Sequence, residues 1–218
     1  MNLDSLRKKF PNQTVSKLKS SSSHHVFLLE NDLCKINTYN DNIDKDKKAL
    51  STYKLNSKKT KLLPEFVKLI ESKPTSYLIT KWFDGKTIHN QLKDHPETYK
   101  NTLEKLCDYI LDLYNLNMCP VDNHLKNFVI NKDNIIMYID LKKIWLNEKH
   151  SGRICKLLLK NFYSNENYII AFLKHYSKRM PIKTVLDKME ESKWSWHTAS
   201  RKKISVDKSK ILNEFKYL

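Results

Sequence analysis

An aspartate at 122, an asparagine five residues on at 127 and a second aspartate thirteen residues further at 140 supply one possible base and two possible metal ligands. Phosphoryl transfer from a nucleoside triphosphate needs a carboxylate to orient the attacking hydroxyl and oxygen ligands to hold Mg²⁺ against the phosphates. Asp122 suits the first task, and Asn127 with Asp140 the second. Taken alone, the Asp122–Asn127 stretch reads equally well as an ordinary turn closed by Asx hydrogen bonds. What separates the two readings is the set of elements on either side.

Before the loop, Leu103, Leu106, Cys107, Ile110, Leu111, Leu113 and Tyr114 keep a 3.6-residue period, which predicts a core helix over 98–115. After it, Asn127–Ile130 and Ile135–Ile139 are short apolar runs joined by Asn131-Lys132-Asp133-Asn134, the signature of a hairpin. A hairpin returns its end to its beginning, so Asp140 is expected beside the loop. Upstream, Thr14–Leu18, Val26–Leu29 and Leu33–Asn37 read as three antiparallel strands, and Phe66–Glu71 and Tyr77–Trp82 as two more separated by Pro74. Between these groups, residues 43–55 read as a helix with Ala49, Leu50 and Tyr53 on one stripe. The chain after Asp140 reads as helical, with stripes at Ile154–Phe162 and Tyr168–Tyr176 and with Trp194, Trp196, Ile211, Phe215 and Tyr217 as late anchors.

Lys35 sits between apolar neighbours on the third strand, where an inward side chain would pair with the α- and β-phosphates of ATP; the rival reading is an edge-strand lysine facing water. An acid in the next helix should fix it: Asp46 is preferred because Ala49, Leu50 and Tyr53 follow at helical spacing, with Asp44 the rival. Ser21, Ser22 and Ser23, with Ser20, stand at the bend where phosphate loops are usually glycine-rich. Their N–H groups and hydroxyls are assigned to phosphate oxygens. Glycine occurs only at 85 and 152, so the chain has no glycine loop. His124 is either a neutral γ-phosphate clamp or a structural residue. The segment from Ile79 to Trp82, including Thr80, precedes a hinge-like Trp82-Phe83-Asp84-Gly85 and is assigned backbone contacts to adenine.

Leu116-Asn117-Met118, the D-x-H-x-x-N run from Asp122 through His124 to Asn127, Lys132-Asp133 and Ile139-Asp140-Leu141 together resemble the bacterial lipopolysaccharide core heptose kinases of the protein-kinase-like superfamily. The same D-x-H-x-x-N run is similar to that of aminoglycoside and choline phosphotransferases. The motif support spans about residues 77–142. The resemblance implies a bilobal α+β, protein-kinase-like fold, with an antiparallel-sheet lobe at 1–83 and a helical lobe at 84–218 carrying the catalytic hairpin at 119–142. It also implies ATP and Mg²⁺ as cofactors, Lys35 on the phosphates, Asp122 as base or positioner, and Asn127 with Asp140 on the metal. Pro120-Val121 and Leu141-Lys142 depart from the family pattern around the two aspartates, and no Ala-Pro-Glu follows, so activation-loop phosphorylation is not expected. In this economy the chain resembles compact kinase-like effectors injected by bacterial pathogens.

Forty Lys and Arg against twenty-four Asp and Glu give a formal charge of +16, which biases the chain toward anionic partners or simply makes a solvated lysine-rich surface. With 40% apolar residues the chain buries a core rather than remaining disordered. No run reaches the ~20 apolar residues of a membrane span, and the polar start lacks the core of a signal peptide. A cytoplasmic protein is expected, peripheral at the inner membrane face or delivered as an effector. Cys34, Cys107, Cys119 and Cys155 lack zinc-site spacing and read as buried thiols. Three functions remain in play: a kinase for a saccharide or lipid-linked hydroxyl, a compact protein Ser/Thr kinase, and a catalytically weak pseudokinase or basic module that holds nucleic acid or anionic membrane. Nucleic acid is the least favoured of these partners.

Overall fold

The computed structural model describes residues 3–20, 25–31, 34–39, 47–58, 60–71, 76–120, 122–140, 144–146, 150–162, 165–191 and 206–216. The chain is a mixed α+β protein made of two compact units, Met1–Asp84 and Gly85–Leu218.

Alternation builds the first unit. Helix α1 (Leu3–Lys9) leads into β1 (Val15–Ser20), β2 (His25–Leu29) and β3 (Cys34–Tyr39); helix α2 (Lys47–Ser57) follows, then β4 (Phe66–Ile70) and β5 (Ser76–Lys81). The five strands form one antiparallel sheet in the order β1-β2-β3-β5-β4. Pairings such as Phe27 with Ile36, and Ile36 with Ile79, stack one face into a cluster of Val15, Phe27, Leu29, Cys34, Ile36, Tyr77 and Ile79. A seven-residue helix is marginal by itself, and α1 is held because Leu6 is buried in that cluster with Phe10 beside it. The opposite face carries the row Leu28, Lys35, Thr80 and Phe66, read from the same registers. Tyr53 of α2 packs edge-on against Phe66 and donates its hydroxyl to the Pro64 carbonyl at 2.6 Å, so α2 lies on the Lys35 side of the sheet.

Helical periodicity builds the second unit. It runs through β6 (Lys86–Thr87), α3 (Ile88–Asp94), a 3₁₀ turn and α4 (Tyr99–Asn115), then β7 (Met118–Pro120), a second 3₁₀ turn (Leu125–Asn127) and the hairpin β8 (Phe128–Ile130) with β9 (Ile136–Tyr138). Strand β10 (Ile144–Leu146) and helices α5 (His150–Asn161), α6 (Glu166–Tyr176), α7 (Lys183–Glu191) and α8 (Lys208–Glu214) complete it. The Thr87 hydroxyl caps α3 by accepting from Asn90 N. Leu103, Leu106, Ile110 and Leu113 of α4 are buried, as their spacing predicts. Asn117 ends α4 in the left-handed region at φ 56°, a conformation asparagine tolerates better than most side chains. The hairpin turn uses the same device at Asn134, φ 62°, and Asn131 Oδ1 accepts from Ile135 N.

One expectation fails here. The chain after Asp140 is not purely helical: Ile144–Leu146 forms β10 and pairs antiparallel with β7. Strands of three residues are too short to show a period, and Cys119-Pro120 reads as loop because proline usually leaves ladders; a two-stranded pair gives it an open edge. All four cysteines are buried thiols, as expected. No helix among the described residues is long and apolar enough to cross a membrane.

Helix α4 is also tied to the end of α6. Arg179 donates to Asp108 at 2.9 Å and to Asp112 at 2.7 Å, and His175 Nε2 lies 3.0 Å from the same Asp108 oxygen. Burial pushes the Asp108 carboxyl up, but the hydrogen bonds from Arg179 and His175 outweigh it and hold the group below its ordinary 3.8. The unfolded chain therefore takes up this proton first on acidification. The stability Asp108 contributes is present above pH 3.8 and is lost as pH falls through its folded value. Because these side chains are partly solvated, Arg179→Ala should cost only about 1 kcal/mol at neutral pH. Urea midpoints should show that deficit shrinking in acid.

Candidate functional site

The site lies in the second unit, where the loop after β7 meets the hairpin. Its centre is a backbone atom. The Asp122 carbonyl accepts from His124 N at 2.7 Å, from Asn127 Nδ2 at 3.0 Å and from the Tyr138 hydroxyl at 3.4 Å. These bonds wind residues 122–127 into a tight turn and attach it to β9. Ile139 N then donates to the Asn127 carbonyl at 2.9 Å, which brings the chain just before Asp140 back to the loop. The Tyr138 phenol registers the result: burial pushes its pKa far up, and the charges of Asp140 and Asp122 push it further. Both carboxylates therefore act on one hydroxyl.

Helix α4 braces the hairpin from behind. The Tyr109 hydroxyl accepts from Tyr138 N at 2.6 Å, and the Tyr109 ring meets Phe128 edge-on while Phe128 packs on Tyr138. Helix α5 braces the loop from the other side. Asn161 Nδ2 donates to the Asn123 carbonyl at 2.6 Å and to Leu157 O at 2.8 Å, and Asn161 Oδ1 accepts from Leu125 N at 3.1 Å. Buried Asn123 answers by donating to Arg153 O at 3.0 Å. From the residue beside Asn161, Lys160 places Nζ 2.8 Å from Asp122 Oδ1.

Asn161→Ala would strip partners from the Asn123 carbonyl and the Leu125 N–H, both in buried residues. Leaving such groups unsatisfied costs about 1–3 kcal/mol each, so the urea midpoint should drop by the equivalent of roughly 2–3 kcal/mol. Asn161→Asp should recover part of it, because a carboxylate still accepts from Leu125 N.

The electrostatics separate the side chains by role. Burial lowers the His124 pKa, and the Lys160 charge lowers it further; Asp122 opposes both, with smaller lowering from Lys126 and His89. His124 is thus a neutral ring near pH 7, with Nδ1 facing Lys126 N at 3.4 Å, which leaves Nε2–H as its donor. Asn127 commits its amide nitrogen to the Asp122 carbonyl, turning its oxygen the other way. Asp140 is half-buried at the hairpin end.

The structure brings together Asp122, His124, Asn127 and Asp140. Lys35 belongs to the first unit: it is half-buried on β3, which lies between β2 and β5, so it is not an edge-strand lysine. Thr80 is buried within β5, paired on both sides, and Trp82 follows the end of that strand. Ser21, Ser22, Ser23, Asp44 and Asp46 lie outside the described residues. Lys160 and Asn161 were not expected. They are 38 residues from their loop partners, and the α5 sequence signals only its apolar stripe. A lysine-asparagine pair on the last turn, beside the buried Phe162, was the one available cue.

No protein-family model matches this sequence, and no curated protein matches it significantly.

Proposed function

We propose that the chain is an ATP-dependent phosphotransferase of the bilobal protein-kinase-like fold, moving the γ-phosphate to a hydroxyl on a saccharide or lipid-linked sugar. The observation that carries this reading is the closure of the 122–127 turn onto the hairpin, through Asn127 to Asp122 and Ile139 to Asn127. It gathers one carboxylate, one amide oxygen and a second carboxylate, the donor set phosphoryl transfer needs. The element order supports the same reading: a five-stranded antiparallel sheet with a helix between its third and fourth strands, then a long helix, an acidic loop, a hairpin and an acid.

In this mechanism the Asp122 carboxylate orients the acceptor hydroxyl and receives its proton. The hydroxyl oxygen bonds to the γ-phosphorus, the bond from phosphorus to the β,γ-bridging oxygen breaks, and that electron pair leaves on ADP. Among the described residues no three His, Cys, Asp or Glu side chains cluster as a metal cage. Asn127 and Asp140 fit the alternative, in which Mg²⁺ takes one or two protein oxygens and fills its shell with water and phosphate. The ion would supply charge neutralisation at the phosphates. Lys35 is assigned to the nucleotide phosphates, as the sequence resemblance implies.

Helix α5 begins ten residues after Asp140, and β10 occupies part of that interval. So short a segment offers little length along which to lay a peptide, which favours a small or glycolipid acceptor over a protein. The +16 charge suits an anionic acceptor or an anionic bilayer presenting it. The test is to incubate the purified chain with Mg-ATP, alone and with phosphorylated glycolipid or with protein lysate. Turnover and a nucleotide-dependent rise in melting temperature are expected, with glycolipid labelled in preference to protein. Absence of turnover, of self-labelling and of any thermal shift would sink the enzyme reading. Salt-sensitive retention on DNA that ignores ATP would point to a basic binding module.

A further inference from the structure

We infer that Lys160 is a catalytic residue: the ammonium that binds the γ-phosphate, delivered to Asp122 from helix α5 rather than from the loop itself. The inference rests on the phosphotransferase reading and goes beyond it by assigning the cation at the transferred group.

A carboxylate that must approach a triphosphate meets strong repulsion from the phosphate oxygens unless a cation stands between them. The loop carries Lys126, and helix α5 brings Lys160 to it. At the middle of the loop stands His124, whose Nδ1 is turned toward the Lys126 amide. The Lys126 side chain is exposed on the 3₁₀ turn. Lys160 has the required place, with Nζ 2.8 Å from Asp122 Oδ1. An ammonium carries three donors and no acceptor, so one spent on Asp122 leaves two for phosphate oxygens.

The lysine is also preset. Its neighbour Asn161 makes bonds to the Asn123 carbonyl and the Leu125 amide, and Asn123 returns one to Arg153 of the same helix. The backbone that carries Lys160 and the backbone that carries Asp122 are thus locked in register, which removes much of the ordering cost a long side chain usually pays. An ordinary surface ion pair has no such scaffold. During transfer the ammonium keeps its protons: the acceptor proton passes to Asp122, and Lys160 only screens charge on the phosphoryl oxygens.

The experiment compares Mg-ATP with Mg-ADP on the full chain, wild type, Lys160→Met, Lys160→Arg and Asp122→Asn, by calorimetry for binding and by ADP release for turnover. The γ-phosphate is the only difference between the two nucleotides. In Lys160→Met the preference for Mg-ATP over Mg-ADP should fall by about tenfold or more, the scale of one charge-assisted contact. Mg-ADP affinity should stay within about twofold, and kcat should fall by roughly 10². Lys160→Arg should regain part of the preference, which also guards against a folding defect in the methionine variant. A residue that merely held Asp122 in place would lower kcat and leave the ATP-to-ADP ratio untouched, and that outcome overturns the inference. So does a Lys160→Met protein with unchanged turnover; if Asp122→Asn is then inactive, the phosphotransferase reading survives without Lys160. A wild-type chain that binds neither nucleotide removes both.

Discussion

Asp122→Asn should leave a folded protein that binds Mg-ATP within a few-fold of wild type and turns it over about 10²–10⁴ times more slowly, the usual contribution of a positioned base. The reason for expecting loss of rate without loss of structure lies in which atoms of residue 122 do what. The turn is closed through its carbonyl oxygen, on which His124 N, Asn127 Nδ2 and the Tyr138 hydroxyl converge. The carboxylate takes part in none of those three bonds; Lys160 Nζ lies 2.8 Å from its Oδ1. Asparagine keeps the size and an oxygen that accepts from that lysine, and gives up the negative charge and the ability to take a proton. Melting temperature should therefore move by a few degrees at most, while steady-state ADP release collapses. Unchanged turnover would remove Asp122 from the chemistry. A fall in rate matched by a large fall in melting temperature would mean that the carboxylate is structural.

Gly85→Ala should destabilise the protein severely. Gly85 holds φ at +156°, and a Cβ there would stand 2.3 Å from the Ile130 carbonyl oxygen, 2.8 Å from the Ile130 carbonyl carbon and 2.9 Å from Val129 Cγ1. Two of those three atoms are backbone of β8, directly opposite the start of β6, where Lys86 pairs with Ile130. Neither can swing aside as a flexible side chain would. Relief requires pulling β6 off the hairpin, and the expected loss is about 3 kcal/mol or more. Gly152 provides the control, since a Cβ there meets nothing within 4 Å and the residue lies in α5. Gly152→Ala should raise stability by about 0.5–1 kcal/mol through helix propensity alone. Denaturant titration of the two variants side by side tests both signs; equal midpoints would refute the argument.

Periodic features were legible in the sequence. Helix α4 announces itself through seven apolar residues at helical spacing, and β1 to β5 through alternation that the registers bear out, as at Phe27, Ile36 and Ile79. The hairpin was legible from its Asn/Asp turn, in which Asn131 Oδ1 accepts from Ile135 N and Asn134 takes the left-handed bend. Elements that exist only because a partner is present were not. Helix α1 has one buried leucine to show for itself, and β7 and β10 are three residues each, defined by pairing rather than by pattern. In the candidate site, Asp122, Asn127 and Asp140 are close in sequence, so spacing could find them. Lys160 and Asn161 come from a helix whose approach to the loop depends on tertiary packing of α5, which no local window contains.

The bond from Tyr138 N to the Tyr109 hydroxyl has a colloidal consequence. Strand β9 borders its three-stranded sheet, and a border strand with an outward amide is a template on which a stranger's strand can grow. Here the outward amide of residue 138 is already taken by a phenol from α4, so a foreign strand finds no free donor at that position.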